Sequence, residues 1–171
     1  MAVVNRKSTA ISGILAALVV ITLYAESVIP TAKLSLYALS SFFVAIIIIE
    51  GGGRAGWLFY LVTSLLVLII VPDKVGLMPY FVFFGVYGIL KFYIEKMHRI
   101  VPEYVLKLAY FNICLILALF IIKNLLAVNI SSSVPLWLLI ISLEVVFLIY
   151  DYVYTLFIQF YLEKIKKPEG G

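Results

Sequence analysis

Apolar residues run almost unbroken through six stretches of the chain, at about 9–29, 34–49, 55–71, 77–94, 104–126 and 135–162, with short polar breaks between them. Several stretches approach or exceed the roughly 20 residues that a helix needs to cross a hydrocarbon core about 30 Å thick. Each is continuously apolar, whereas a transmembrane strand would alternate over about ten residues, so the pattern predicts helices. Pro30, Pro72, Pro79, Pro102 and Pro135 fall at the expected ends, where a missing N–H costs least. Ser131, Ser132 and Ser133 stand ready to cap the last helix. That helix is expected to run on from Pro135 to Lys167, roughly 50 Å at 1.5 Å per residue. Its final turns would then leave the hydrocarbon, and residues 168–171 would form a disordered tail.

Charge orients this pattern. Six passes put both termini on one side, and with the N-terminus inside the inner segments hold Arg6, Lys7, Arg54, Lys91, Lys96, Arg99, Lys107, Lys164, Lys166 and Lys167. The outer segments hold only Lys33, Lys74 and Lys123. Lys and Arg resist translocation, so this bias places both termini in the cytoplasm. The expected fold is an all-α polytopic membrane protein, one six-helix transmembrane domain spanning residues 1–171 in the plasma or bacterial inner membrane.

Composition removes other classes. The chain is 65% hydrophobic, well above the roughly 45–50% of a soluble domain. The connections are too short to fold a soluble catalytic or nucleic-acid-binding domain. The net charge of +4 is a consequence of topology, with anionic inner-leaflet lipid as a further partner of the basic side. No cofactor and no metal are expected: Cys114 stands alone in the fifth stretch, and His98 lies in a basic loop beside Lys96 and Arg99. Gly51, Gly53 and Gly56 match G-x-G-x-x-G in form, but they join two apolar stretches rather than a strand and a helix. They read as a tight turn that needs positive φ.

Intramembrane carboxylates are the candidate chemistry. Glu144 lies about ten residues into the last stretch, and Asp151, two turns on, falls near the same helix face. A carboxylate at that depth is costly and should turn away from lipid, as part of a substrate or proton site or as a hydrogen-bonded lock against another helix. Tyr80 and Tyr87 of the fourth stretch and Trp137 of the sixth add aromatic ligand-binding candidates. In the first stretch Ser12 and Ala16, and Gly13 and Ala17, are small residues four apart, a pattern that admits a second helix at close range and marks a partner-docking face.

A short basic N-terminus, six spans in fewer than 200 residues, cytoplasmic ends and a small-residue first helix together resemble the substrate-binding S-components of energy-coupling-factor vitamin transporters. In that family an Ala-x-x-x-Ala pattern of the first helix docks on a transmembrane coupling subunit. Here Ala10 is followed four later by Ile14, and Ser12/Ala16 and Gly13/Ala17 are only analogous. The resemblance implies binding of a small organic nutrient without catalysis, and delivery with the help of a coupling subunit and ATPases. Its pocket would lie among Tyr80, Trp137 and the connections 30–33 and 72–76, with Glu144 beneath. The plan is also similar to the MreD family of cell-envelope scaffolds, whose partners are other membrane proteins. An intramembrane enzyme built on Glu144 and Asp151 is a third reading.

Overall fold

A computed structural model describes residues 6–125 and 135–165, and all regular structure among them is helical. The elements are α1 (Arg6–Val28), a 3-10 turn (Pro30–Ala32), α2 (Lys33–Ile70), a π turn (Tyr80–Phe84) that runs into α3 (Gly85–Glu95), α4 (Ile100–Leu125) and α5 (Leu136–Lys164). Among the described residues four helical segments are long and apolar enough to cross a membrane: Thr9–Val28, Pro30–Ile70, Ile100–Ile121 and Trp137–Lys164. The expected fourth stretch, 77–94, is divided between the π turn and α3, and neither piece alone has the length. The last helix runs to Lys164, and the rest of its expected extension, 166–167, lies outside the described residues. Its proposed serine cap and the tail 168–171 lie outside the described residues.

The second and third expected stretches join in α2, whose 38 residues are interrupted at Gly52 by φ 77° and ψ 179°. Backbone with that φ is open to glycine and strained for other residues, so the chain can break its helical path there. It turns back on itself. A Cβ on Gly56 would lie 2.5 Å from Ile48 Cγ1, although residues eight apart in a straight helix are about 12 Å apart along the axis. At the opposite end the Tyr37 hydroxyl donates to the Gly76 carbonyl, so the chain beyond Ile70 has returned to where α2 began. The glycine cluster is thus a turn, as its spacing suggests, but the positive φ falls on Gly52.

The chain divides into two compact units, residues 1–93 and 94–171. In the first, α1 turns Leu15, Val19, Thr22, Leu23 and Glu26 inward, a helix-period stripe. The stripe packs with α2, whose buried positions include Val44, Ile48, Phe59, Thr63 and Val67. Tyr80, Phe84 and Tyr87 complete this core.

The π turn has an identifiable cause. Gly85 N–H bonds back to Tyr80 O, five residues earlier, and the Phe81 carbonyl thereby loses the partner an α-helix would provide. The Tyr60 hydroxyl donates to that carbonyl at 2.8 Å. Gly85 gives the ring room, since a Cβ there would meet Tyr60 Cε2 at 2.6 Å. Next to it, Thr63 Oγ1 lies 2.9 Å from the Tyr80 hydroxyl. An apolar surrounding makes each such bond matter, because an orphaned backbone group finds no water to replace its partner.

The second unit is built on α4 and α5, which pair antiparallel. Lys107 faces Asp151, Phe111 stacks on Phe147 with centroids 4.6 Å apart, and Asn112 faces Glu144. Advancing along α4 while receding along α5 is the register of a helical hairpin.

Candidate functional site

Two polar clusters interrupt these apolar helices, one in each unit. In the second unit the Asn112 side-chain amide donates to Leu108 O at 2.9 Å and to Glu144 Oε1 at 3.3 Å. Seven residues further on, Asp151 is 6% exposed, and its Oδ2 accepts from Lys107 Nζ at 3.3 Å. Lys107 also donates to Glu95 Oε1 at 2.8 Å and stands 5.8 Å from the Tyr104 ring. Glu144 and Asp151 do share one face of α5 and turn toward α4, as their spacing suggests. Each has a protein partner, the arrangement of a lock.

Lys107 was missed as a partner because a lysine near the start of a stretch reads as an inside marker. It is 5% exposed, one of the most buried charges among the described residues. A lysine inside an apolar run, with an aspartate available in the next run, is the signal that could have revealed the pair.

The aromatic candidates belong to both units. Tyr80 and Tyr87 are fully buried in the first unit, where the Tyr80 hydroxyl bonds to Thr63 and the Tyr87 ring lies 5.3 Å from that of Phe83. Trp137, in the second unit, is 63% exposed. On α1, Gly13 and Ala17 are exposed and Ser12 and Ala16 half-buried, and nothing lies within 4 Å of a Cβ placed on Gly13. Gly13 and Ala17 therefore belong to the outward side of α1 rather than to the packing of the first unit.

The other cluster gathers at the end of the first unit that carries 30–33 and 71–77. Glu26 closes the buried stripe of α1 with no solvent exposure at all. Lys33 opens α2 and holds its Nζ 2.8 Å from Glu26 Oε1 and 3.9 Å from Asp73 Oδ2. The remaining donors nearby are committed elsewhere. Tyr37, whose hydroxyl stands beside the Glu26 carboxyl, donates its one proton to Gly76 O. Gly76 N–H donates to Asp73 Oδ1 at 2.9 Å, and Lys74 Nζ donates to the Leu68 and Val71 carbonyls at the end of α2. Among the described residues Glu26 Oε2 has no hydrogen-bond donor. Buried polar atoms are ordinarily satisfied, and each exception calls for an explanation.

In the sequence nothing marks Glu26 as a site residue, and Lys33 and Lys74 read only as outer charges. The stripe Leu15, Val19, Leu23, Glu26 was nonetheless legible as a core period that ends in an acid. Among the described residues no group of three or more His, Cys, Asp and Glu converges as a metal site. Comparison with family models, curated proteins and solved structures finds no match to the chain.

Proposed function

We propose that this chain is a solute-binding membrane subunit without catalytic activity, with six helical passes and cytoplasmic termini, and that the Glu26–Lys33–Asp73 end of its first unit receives the solute from outside. The fold-back at Gly52 supports six passes, since α2 then supplies two and residues 80–95 another. The bias of ten basic residues against three supports the orientation, and it puts Lys33, Asp73 and Lys74 at the outer face.

One observation carries the binding reading: a fully buried carboxylate, Glu26, has an acceptor atom that no group among the described residues satisfies. The other candidate carboxylates, Glu144 and Asp151, are occupied by Asn112 and Lys107. A solute-binding subunit of this kind would work with a coupling subunit and ATPases, and the outward small residues Gly13 and Ala17 of α1 offer the close approach such a partner needs. That same open face is the feature that favours a scaffold as the second reading.

The experiment is a native mass spectrum of the protein released from detergent micelles. A bound mass of small-molecule size is expected on the parent chain and is expected to be lost in Glu26→Gln, with the helical circular dichroism of the two proteins alike. A parent chain that carries no such mass, even after incubation with a cell extract, speaks against binding. In that case capture of another membrane protein, lost when Ala17 is changed to Leu, would favour the scaffold.

A further inference from the structure

The Glu26 end already contains an alkylammonium ion, because the Lys33 side chain is one. Its nitrogen lies 2.8 Å from Glu26 Oε1 and 3.9 Å from Asp73 Oδ2. The side chain is 41% exposed, on a flexible stem, while the carboxylate it covers is fully buried. Glu26 and Asp73 are matched by two cations, Lys33 and the nearby Lys74, whose ammonium is tied to the carbonyls of Leu68 and Val71. A group that takes the place of Lys33 must therefore bring the positive charge that Lys33 carries away, together with an N–H donor for the unsatisfied Oε2. A carboxylate or phosphate would meet two like charges, and an alcohol would satisfy Oε2 but leave the charge uncompensated.

On this geometry we propose that the solute is a small organic molecule with a protonated primary amine, and that its ammonium group takes the place of Lys33 between Glu26 and Asp73. The inference rests on the binding reading given above and names the chemical class of the solute. Lys33 is the resident counter-ion of this site. It swings into water when the solute arrives, and the solute's ammonium, not tethered to the start of α2, aims one of its three N–H groups at Oε2. Lys33 thereby competes with the solute and sets a threshold on its affinity. The consequence separates binding from structure: loss of a structural lysine weakens a site, whereas loss of a competitor strengthens it.

The test uses n-propylammonium, which has the shape of the lysine side chain beyond Cβ, with propionate and 1-propanol as anionic and neutral counterparts. The full-length protein in lipid nanodiscs is titrated with each and followed by saturation-transfer NMR. The parent chain is expected to bind n-propylammonium in preference to the other two. Lys33→Ala is expected to bind it at least tenfold more tightly, and Glu26→Gln at least tenfold more weakly. Unchanged or weaker n-propylammonium binding in Lys33→Ala overturns the proposal, as does binding that Glu26→Gln leaves intact. Propionate binding lost in Lys33→Ala overturns the ammonium assignment and leaves the solute-binding reading standing. If none of the three probes binds and the native mass spectrum shows no bound solute, both readings fall.

Discussion

Replacing Lys107 by Met tests whether the second unit is held by the charge pair its geometry displays. Methionine keeps most of the lysine stem, so the apolar contacts persist and the change is chiefly one of charge. The variant takes from Asp151, whose carboxylate is 8% exposed, the ammonium 3.3 Å away. Removing one member of a buried ion pair typically costs about 3–5 kcal/mol, because a compensating charge is withdrawn from a poorly polarisable place.

Removing the acid as well, in Lys107→Met/Asp151→Leu, takes away both members of the pair and should restore part of the loss, to within about 1–2 kcal/mol of the parent. Glu95, whose side chain is 38% exposed, tolerates the change because water reaches it. Unfolding by SDS in mixed micelles, read by circular dichroism, gives all three free energies. A single variant within about 1 kcal/mol of the parent, or a double variant no better than the single, would refute the pairing.

Glu144→Gln should shift unfolding by less than about 1 kcal/mol, since a glutamine carbonyl still accepts from Asn112 and a neutral group suits the site; a large loss in the same SDS titration would show that the charge itself is needed. Two glycines are expected to respond oppositely to alanine. Gly56→Ala forces a Cβ against Ile48 and should destabilise by about 1–3 kcal/mol, while Gly13→Ala has open space and should be neutral or stabilising by up to about 1 kcal/mol. Tyr60→Phe removes the hydroxyl that serves Phe81 O and should cost about 1–3 kcal/mol by the same assay, since the carbonyl is left unsatisfied. Cysteines at Lys74 and Lys96 should label from opposite sides of intact cells, Lys74 with an impermeant thiol reagent added outside and Lys96 only after lysis; the reverse pattern would invert the orientation.

Patterns that repeat along one helix were legible in the sequence, and partnerships between helices were not. The helical character of the chain, the turn at the glycine cluster and the shared face of Glu144 and Asp151 all follow from spacing within single segments. The pairs Lys107–Asp151 and Asn112–Glu144 lie 44 and 32 residues apart, and they depend on the register of α4 against α5, which apolar runs do not specify. Counting lysines as markers of sidedness also concealed two of them as ion-pair members, Lys33 and Lys107. A cation near a helix end can serve both purposes at once, since its stem reaches from one environment to the other. The break at Gly52 was visible as glycine density, but only the backbone angles single out Gly52 over its neighbours.

The π turn at Tyr80–Phe84 has a bearing on the order in which the protein assembles. Its shape depends on a hydroxyl donated from Tyr60, 21 residues earlier, so the local conformation is completed by a neighbour rather than by the segment's own backbone. Inserted alone in a bilayer, a peptide covering 77–95 would have every reason to close the ordinary i to i+4 bond at Phe81 O and remain an unbroken α-helix. The wide turn would then appear only when that helix meets the second half of α2. Isotope-edited infrared spectroscopy of the labelled Phe81 carbonyl would follow docking directly, with one frequency for the solitary helix and another once Tyr60 arrives.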